Sequence, residues 1–508
     1  MRLLTKEQAH KLDQIAIDEH KILATTLMQN AGKNIATFVQ SELIKTHNPK
    51  IGILCGKGNN GGDGFATGSI LKDQGFRVSI YCLSHINGLS IDSLFFHDLC
   101  IKKGISIFYE NDLPQLLPDF DLMIDAIVGT GFSGELNQTL VPWIKWLNEC
   151  SLKISVDIPA GVNANTGKTS NIAVNADHTI TMGSAKIGMM LEPGKSHCGL
   201  IHCVDIGLPK FFINKSSVQW SLLLDNHINS MIQKVEKSTH KYKQGKVLIL
   251  AGSIGMTGAA FLSTMSALRS GAGITKTFAP HSLNSIYEQK ITEGMTIPCD
   301  DLGNGFFIEE NYDTIMSHID WCDVMIIGPG LGSNSKTSNL VLKLIKQINK
   351  PIVIDADGFQ PFYNNVKLFK EIKSSFIITP HLGEFSKLTG IDNQTLKEDL
   401  PQNINLFMKD FPGTLLLKNA PSFVAWESKG CVNSTGNPGL ATAGSGDVLT
   451  GIVAAFIAQG KSIEEAAKIG MFIHGKAGDE LALEISQRGL IASDLLNKIA
   501  QVISDYES

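Results

Sequence analysis

The chain has 508 residues, 43% of them hydrophobic and 18% charged, with a formal net charge of −5 at pH 7. This length exceeds what one hydrophobic core supports, so we expect at least two domains. The slightly acidic balance argues against a dedicated nucleic-acid-binding protein, because such proteins need a basic surface.

The N-terminal segment predicts two amphipathic helices, over residues 5–20 and 25–46. The charged start of the chain lacks the apolar core of a signal peptide, and no run reaches the roughly 20 apolar residues that cross a bilayer. The nine cysteines form no C-x-x-C pair, which is typical of free thiols in a reducing compartment. We therefore expect a cytoplasmic protein that is not bound to a membrane.

After these helices, apolar runs alternate with helical patterns through the first half of the chain. The predicted strands cover 51–54, 76–83, 121–127, 153–158, 178–182 and 200–206, and the predicted helices cover 64–74, 90–103 and 139–150. This alternation is typical of βαβ units, in which helices cover both faces of a parallel sheet.

One run rich in histidine and cysteine could hold a metal ion. It contains His197, Cys198, His202 and Cys203 and overlaps the last of these strands. Successive side chains of a strand point to opposite faces, so Cys198 and Cys203 would diverge, whereas a tetrahedral zinc site needs converging ligands. We favour the strand over the metal site.

A looser, charged stretch at 209–245 separates the two halves of the chain. We place the domain boundary near residue 225, which divides the chain into domains 1–225 and 226–508. Beyond it, predicted strands cover 247–252, 324–332, 351–358, 376–380 and 414–418, and long helices follow towards the C-terminus. The predicted fold class is α/β, with two domains that each hold a mostly parallel sheet between helices.

A glycine-rich stretch follows the first predicted strand. Residues 56–61 read G-x-G-x-x-G, the pattern of a dinucleotide-binding turn. The second strand, however, ends in YCLSHIN (81–87), without the acidic residue that would hold a ribose. Asp63 would also place a carboxylate beside a pyrophosphate, which is unfavourable without a cation or a proton-transfer role. The match to an ordinary Rossmann fingerprint is therefore weak.

Asp125 and Asp157 each end a later strand and precede another glycine-rich turn. Ligands of open parallel sheets bind beyond the carboxyl ends of the strands, so these residues and Asn60 are expected to face one crevice. Oxygen ligands beside glycine loops suit a hard cation and a phosphorylated ligand. Each aspartate could instead cap its own loop, but three such residues at strand ends favour a functional site.

The motifs CGKGNNGGDG, DAIVGTGFSGEL and VDIPAGVNANTG, in this order, resemble the epimerase domain of the enzymes that repair hydrated NAD(P)H. On a Rossmann-like domain, that family interconverts the R and S epimers of NAD(P)HX, the damaged cofactor formed when water adds to the nicotinamide ring. The resemblance implies that Asp157 is a catalytic residue at the reacting ring, and that K⁺ binds through Asn60, Asp125 and Ala160. It implies substrate contacts at Asn59, Asn60, Gly61, Gly62, Asp63, Gly129, Thr130, Gly131, Phe132, Ser133, Gly134, Glu135 and Asp157.

Two positions depart from the pattern of this family. Family members often have Ser or Thr where this chain has Ala160, so a cation ligand there would have to be the backbone carbonyl. His20 and Lys21 precede LMQNAG at a site that is commonly glycine. We expect the second departure to affect only the connection between two helices.

The second half carries its main motif at 437–451, NPGLATAGSGDVLTG. Its small residues allow backbone N–H groups to converge at the N-terminus of an apolar helix, which creates a site for a transferring phosphoryl group. Asp447 is then placed to accept a proton from an attacking hydroxyl. A helix cap alone would explain one aspartate, but not this glycine pattern.

No P-loop sequence G-x-x-x-x-G-K-[ST] occurs in the chain. Instead, AGSIGMTGAA, IIGPGLG, VIDADG, TPHLGEF, LLLKNAPS and AGSGDVLTG together resemble the ribokinase-like, ADP-dependent NAD(P)HX dehydratase domain. The resemblance implies that ADP is used with Mg²⁺, and that Asp447 is the catalytic base and contacts the substrate. It implies further substrate contacts at Ala259, Gly332 and His381, and nucleotide contacts at Lys418, Asn419, Ala420, Pro421, Ser422 and Gly446.

Three side chains of this half have a structural alternative. His381 could be a structural histidine, although its place after a strand favours a ligand contact. Asp355 and Asp357 could stabilise their loop or contact a magnesium–nucleotide complex. The family usually has K-G-A-x-T where residues 418–422 read KNAPS, so altered nucleotide contacts are expected.

Together these motifs predict a bifunctional repair enzyme. It would epimerise R- and S-NAD(P)HX and dehydrate the S epimer to NAD(P)H at the expense of ADP, giving AMP and phosphate. The expected partners are NADHX, NADPHX and ADP, with no nucleic acid, and with further copies of the chain in a homo-oligomer. The alternative is a ribokinase-like small-molecule kinase fused to a nucleotide-sensing module. The choices between ADP and ATP and between NADHX and NADPHX stay open.

Overall fold

The computed structural model describes residues 1–42, 48–109, 118–209, 219–363 and 365–507. The chain divides into two compact units, Met1–Trp220 and Ser221–Ser508. The predicted boundary near residue 225 lies close to this division. Within the described ranges, no helix combines the length and the apolar character that crossing a membrane requires.

The first unit contains a seven-stranded sheet with the order β4-β3-β2-β5-β6-β7-β8, in which every neighbouring pair is parallel. The strands of this sheet are β2 (Lys50–Cys55), β3 (Arg77–Cys82), β4 (Ser106–Tyr109), β5 (Leu122–Ala126), β6 (Lys153–Val156), β7 (His178–Met182) and β8 (Leu200–Val204), and the short strand β1 (Arg2–Leu3) lies outside it. The helices of this unit are α1 (Lys6–Asp18), α2 (Ala24–Glu42), α3 (Asn59–Asp73), α4 (Ile91–Lys102), α5 (Val141–Glu149) and α6 (Gly194–Cys198).

The sheet of the first unit is buried on both faces, which is why its central strands read as nearly continuous apolar runs. In β2, Ile51 and Ile53 pack into one apolar cluster with Phe65 of α3. Leu54 points to the other face and packs with Trp143 of α5. The sheet thus holds the residues at the carboxyl ends of β2, β5 and β6 on a rigid edge.

The six strands predicted for this half are present, whereas β4 was not predicted. The predicted helix 64–74 is wrong at its start, because α3 begins at Asn59 and includes the glycine-rich motif. The glycines permit this helix by close packing: a Cβ on Gly61 would lie 1.9 Å from Gly56 O, and one on Gly62 would lie 2.4 Å from Met28 Sδ. The end of the predicted helix 25–46 lies outside the described residues.

In the second unit the strand order is β9-β18-β17-β16-β15-β14-β13-β10-β11-β12. The strands are β9 (Trp220–Leu222, at the division), β10 (Lys246–Leu250), β11 (Ile274–Pro280), β12 (Met295–Cys299), β13 (Val324–Ile327), β14 (Ile352–Ile354), β15 (Phe376–Ile378), β16 (Thr414–Leu417), β17 (Phe423–Trp426) and β18 (Lys429–Val432). Pairing is parallel from β12 to β16 and antiparallel from β16 to β18. The predicted α/β class with mostly parallel sheets is confirmed.

Helices cover this second sheet. They are α7 (Asp225–Met231), α8 (Thr257–Arg269), α9 (Asn284–Lys290), α10 (Tyr312–Met316), α11 (Ser335–Ile345), α12 (Leu382–Thr389), α13 (Asn393–Glu398), α14 (Leu400–Met408), α15 (Ser445–Ala458), α16 (Ile463–Ile485) and α17 (Ala492–Ser504). Helix α15 is apolar and buried along most of its length, so it lies in the core. The long C-terminal helices are present as predicted. The strands β11, β12, β17 and β18 were not predicted from the sequence.

Candidate active sites

A cavity of about 710 Å³ opens in the first unit, beyond the carboxyl ends of β2, β5 and β6. The structure brings eight of the predicted residues together in its lining: Asn59, Asn60, Asp63, Gly129, Thr130, Gly131, Phe132 and Asp157. Other predicted residues are absent from that lining, namely Gly61, Gly62, Asp125, Ser133, Gly134, Glu135 and Ala160. Gly61 and Gly62 instead lie where α3 packs closely on its neighbours.

Asp157 has a backbone φ of 66°, in the left-handed region that disfavours side chains other than glycine. Its carboxylate accepts hydrogen bonds from the Thr181 hydroxyl and the Met182 N–H, each at 3.2 Å. It also forms a buried ion pair with Lys186, whose Nζ donates to Thr181 Oγ1 at 2.8 Å. The surrounding structure therefore holds a strained aspartate in one orientation at the cavity wall.

Two further carboxyl groups line the same cavity. Burial, and then the charges of Asp157 and Asp13, raise the pKa of Asp63 well above its ordinary value. Burial and the Asp157 charge raise the pKa of Asp13, on helix α1, to about 6. The cavity therefore combines one ion-paired carboxylate with two carboxyl groups that hold protons more readily than in water. Carboxyl groups with raised pKa values can donate a proton closer to neutral pH than an ordinary aspartate can.

The groups predicted to hold K⁺ lie deeper, at the end of β5. The buried Asp125 carboxylate accepts from the Ala160 N–H and the Ser155 hydroxyl, each at 2.8 Å, and from the Ile127 N–H at 3.2 Å. Burial, partly offset by these donors, raises the pKa of Asp125 to about 6. Asp125 thus caps its own loop through the Ile127 N–H, as the structural alternative for this residue proposed.

The residues present fit a hard cation by the type of their donor atoms. The Asn60 amide nitrogen is buried with no hydrogen-bond partner. Because that nitrogen only donates, a cation would have to bind the amide oxygen of the same side chain. Amide, carboxylate and carbonyl oxygens are the donors that such a cation prefers. The carbonyl of Ala160 already accepts from the Val174 N–H at 2.9 Å and would have to serve both partners.

The histidine and cysteine run does not converge on a metal site. Cys198 ends the short helix α6 rather than lying in the strand, and its thiol donates to Gly194 O. Cys203 is exposed on β8. No group of three or more His, Cys, Asp or Glu side chains suited to a metal ion occurs in the described parts of the chain.

In the second unit, Lys418 and Asp355 form an ion pair with Nζ 2.7 Å from Oδ1. The second oxygen of Asp355 accepts from the Thr450 hydroxyl on α15, also at 2.7 Å. Burial alone would lower the pKa of Lys418, but the Asp355 and Glu384 carboxylates raise it. Asp355 therefore connects Lys418 to Thr450 of α15. This is a structural role, one of the two alternatives considered for this residue.

The glycine motif shapes the first turn of α15. Gly444 caps the helix with a φ of 87°, a left-handed conformation that glycine adopts without strain. A Cβ on Gly446 would lie 3.0 Å from Lys418 Nζ, so backbone and ammonium approach closely here. Ser445 is held by His474 Nε2 at 2.9 Å. Backbone N–H groups and a lysine thus meet at a helix N-terminus, as an anion site requires.

Asp447 follows Gly446 in the first turn of α15. Burial, and then the Asp355 charge, raise the pKa of Asp447 to about 7. Burial also raises the pKa of Glu384 to about 7, against the lowering effect of Lys418. The site thus holds two carboxyl groups that titrate near neutrality beside a lysine. A pKa near the working pH is what a general base needs.

Two of the predicted substrate contacts have structural partners. His381 caps α12, where its Nδ1 accepts from the Gly383 and Glu384 N–H groups, while 59% of its side chain stays exposed. The Gly332 N–H donates to Asp357 Oδ2 at 2.8 Å. Asp357 therefore stabilises the loop that contains Gly332. His381 has a structural role as a helix cap, while its ring stays accessible to a ligand.

The last predicted contacts lie at the start of α8 and in the turn that follows β16. A Cβ on Gly330 would lie 2.8 Å from Ala259 Cβ, so the start of α8 packs against the turn that follows β13. In the 418–422 turn, the Ser422 hydroxyl donates to Asn419 O at 2.9 Å, and the peptide bond between Ala420 and Pro421 is cis. The Ser422 hydroxyl thus links two residues of this turn, whose sequence differs from the usual K-G-A-x-T of the family.

The same division appears when the chain is compared with known proteins. The family described as NAD(P)H-hydrate dehydratase matches residues 247–501, and the family described as YjeF-related protein N-terminus matches residues 24–188. A bifunctional NAD(P)H-hydrate repair enzyme Nnr from Moorella thermoacetica is 33% identical over 516 residues, which cover 100% of this chain and 97% of the relative. The chain belongs to the bifunctional NAD(P)H-hydrate repair enzyme family. The predicted family, with its epimerase and dehydratase domains, is thereby confirmed.

A second repair enzyme of this name, from Thermofilum pendens, is 30% identical, covering 100% of this chain and 98% of the relative. Among solved structures, the ADP/ATP-dependent NAD(P)H-hydrate dehydratase from Bacillus subtilis, co-crystallised with ATP/Mg²⁺, is 23% identical. That match covers 56% of this chain and 98% of the other, with a TM-score of 0.49.

Two functional candidates of this repair-enzyme chain were missed from the sequence, namely Lys186 and Asp13. Lys186 follows β7 in GSAKIG and had no recognisable motif of its own. Asp13 lies on an amphipathic helix where an acidic residue is ordinary. Lys21, by contrast, has a φ of 56° between α1 and α2, which explains why glycine suits that position.

Proposed function

We propose that this chain interconverts R- and S-NAD(P)HX in its first unit and dehydrates S-NAD(P)HX to NAD(P)H in its second, consuming ADP and releasing AMP and phosphate. The observation that carries this proposal is the group formed by Gly446, Lys418 and Asp447, which joins an anion site to a base with a pKa of about 7. Family membership supports both halves of the reaction.

Epimerisation follows from the chemistry of the damaged ring. Water that adds to the double bond beside the ring nitrogen leaves its hydroxyl on the carbon bound to that nitrogen, because the nitrogen lone pair stabilises a cation there. Loss of the hydroxyl as water, followed by its return to the other face, inverts that carbon. Asp157, ion-paired to Lys186, would accept the proton of the returning water. Asn59, Thr130 and the other predicted substrate residues of the cavity would position the dinucleotide.

K⁺ belongs to the proposed epimerase site as a resident ion. Asn60, Asp125 and the Ala160 carbonyl would hold it, and its charge would keep the buried Asp125 carboxyl ionised. Potassium chloride should raise the melting temperature of the first unit above that in sodium or choline chloride at equal ionic strength, by mass action. The same comparison on Asp125→Asn should give no difference. A wild-type protein that is indifferent to K⁺ would remove the ion from the proposal.

Dehydration requires that the ring hydroxyl become a better leaving group. Asp447 would accept the proton of that hydroxyl as its oxygen attacks the terminal phosphorus of ADP, and AMP leaves. The phosphate ester then expels phosphate with help from the ring nitrogen, and loss of a proton from the neighbouring carbon restores the double bond. Gly446 and Lys418 would bear the charge of the transferring group.

Several details of the second site are part of the same proposal. Lys418–Ser422 would contact the adenine nucleotide, and Ala259, Gly332 and His381 would contact the hydrated ring or its ribose. Mg²⁺ supplies charge neutralisation on the ADP phosphates when bound. Asp355, Asp357 and Glu384, whose charges act on Asp447, would supply oxygen ligands for this ion. We also propose that the protein works in the cytoplasm as a homo-oligomer.

The decisive assay incubates the purified protein with a mixture of both epimers, ADP and Mg²⁺ while NADH absorbance is followed. We expect complete recovery of NADH, with AMP and phosphate as products. Recovery of only the S fraction would overturn the epimerase assignment. A stable phosphorylated product without NADH would instead establish a small-molecule kinase.

A further inference from the structure

The N-terminal segment is attached to the epimerase cavity at two places. Leu4 pairs with the loop that carries Lys186, through the Leu4 N–H to Ala185 O and the Ile187 N–H to Leu4 O, both at 2.9 Å. On α1, Lys6 Nζ donates to Gly131 O at 3.1 Å. This segment precedes the matched residues 24–188, yet it contacts two of the loops that form the cavity.

Helix α1 places Asp13 in that cavity. Its side chain remains accessible to solvent and lines the cavity with Asp157 and Asp63, where the surrounding protein atoms desolvate it in part. Four titratable groups interact with it electrostatically: Asp157, Asp63, Lys186 and His10. His10 in turn lies 3.2 Å from Thr130 Oγ1, so the helix is fixed against the glycine-rich loop by a side chain one turn away from Asp13.

We propose that Asp13 is the catalytic acid of the epimerase site and donates the proton with which the ring hydroxyl leaves as water. This role rests on the proposed epimerase function and extends its site to a helix that carries none of the predicted residues. Asp157 is already engaged, because its carboxylate forms an ion pair with Lys186 and accepts hydrogen bonds from the Thr181 hydroxyl and the Met182 N–H. Asp13 is accessible to a ligand in the cavity, as a group that touches the substrate must be.

The step balances without a further reactant. The proton of the Asp13 carboxyl moves to the ring hydroxyl, the carbon–oxygen bond breaks towards oxygen, and the nitrogen lone pair forms a carbon–nitrogen double bond. Water then adds to the opposite face, that double bond returns its electron pair to nitrogen, and the added water gives its proton to Asp157. In the reverse direction the two carboxyl groups exchange roles, and solvent restores the initial proton on Asp13.

The pKa of Asp13 agrees with this assignment. Burial and the Asp157 charge raise it to about 6, with opposing contributions from Lys186 and His10. An acid must be protonated to act, so the rate of epimerisation should fall as pH rises above about 6.

The test uses full-length Asp13→Asn and measures the ratio of epimers by chromatography in the absence of ADP. We expect kcat for epimerisation to fall about 100-fold or more, the usual contribution of a general acid, with KM changed less than about twofold. The alkaline fall in rate should disappear from the residual activity, and Asp13→Glu should restore part of kcat. Asp18→Asn, an exposed aspartate at the end of the same helix, is the matched control and should behave as wild type.

Dehydration of pure S epimer by the second unit serves as an internal control and should be unchanged in all these variants. Wild-type kcat in Asp13→Asn, or a reduced kcat with an unaltered pH profile, would overturn the role of Asp13. Absence of epimerisation in the wild-type protein would overturn the proposed epimerase function itself, so the two failures are distinguishable.

Discussion

Lys418 and Asp355 join two strand ends of the second sheet through an ion pair of 2.7 Å. Asp355 follows β14 and Lys418 follows β16, with β15 between them. The Thr450 hydroxyl reaches the other oxygen of Asp355 from α15, at 2.7 Å. This ion pair therefore fixes the helix that carries Asp447 against the edge of the sheet.

We expect Asp355→Asn to destabilise the second unit by about 3 kcal/mol, because removing one partner of a buried pair leaves the other charge uncompensated. Denaturant unfolding followed by circular dichroism measures the change. Asp410→Asn is the matched control: Asp410 is 91% exposed and lies 3.7 Å from Lys370, so its loss should cost less than ~1 kcal/mol. Equal effects of the two variants would contradict a structural role of the Lys418 pair.

Asp447→Asn should lose dehydration by at least about 100-fold while epimerisation stays intact, because a general base acts only in the second unit. In wild type, kcat/KM for dehydration should rise as pH increases through about 7, since the raised pKa of Asp447 must be passed before the base is free. Glu384 has a similar pKa of about 7, so Glu384→Gln is the control that shows which carboxyl governs the profile. Persistence of the rise in Glu384→Gln supports Asp447, and its disappearance would reassign the profile to Glu384.

Gly446→Ala and Gly451→Ala should separate nucleotide binding from stability on one helix. A Cβ on Gly446 meets Lys418 Nζ at 3.0 Å, so we expect KM for ADP to rise about tenfold, equivalent to ~1.4 kcal/mol. A Cβ on Gly451 would lie 1.9 Å from Ser266 Oγ, so we expect a loss of about 2 kcal/mol of stability from overpacking. Steady-state kinetics and thermal unfolding measure the two effects. A Gly446→Ala enzyme with unchanged KM would contradict a nucleotide contact there.

Lys186→Met should abolish epimerisation and leave dehydration unchanged. The variant removes the buried ammonium beside Asp157, which is 12% exposed, so that carboxylate would lose its ion-pair partner and the orientation that the pair imposes. Epimer ratios measured at several pH values test this expectation. Lys195→Met, an exposed lysine on α6, provides the control and should retain full activity. Retained epimerisation in Lys186→Met would show that the ion pair is dispensable.

The central parallel strands and their terminal acids were predictable because their signals are local, whereas the parallel strands β4, β11 and β12 were missed. An apolar run that ends in an aspartate and a glycine-rich turn is readable wherever the sheet is buried on both faces, as at Asp125 and Asp157. The glycine motif at 443–446 was predictable in the same way. The antiparallel strands β17 and β18 were missed because four-residue segments carry too little periodicity to identify without their partners.

By itself, therefore, the sequence determined the α/β class, the family and the positions of Asn60, Asp157 and Asp447, since each depends on residues that are adjacent along the chain. Only the tertiary structure decided that Asp13 and Lys186 share a cavity with Asp157. The reason is that Leu4, shortly before the helix of Asp13, pairs with Lys186, which is distant in the sequence. The tertiary structure likewise decided that Asp355 accepts hydrogen bonds from Lys418 and Thr450. Local patterns record which residues are available, whereas burial and charge at long range determine what each of them does.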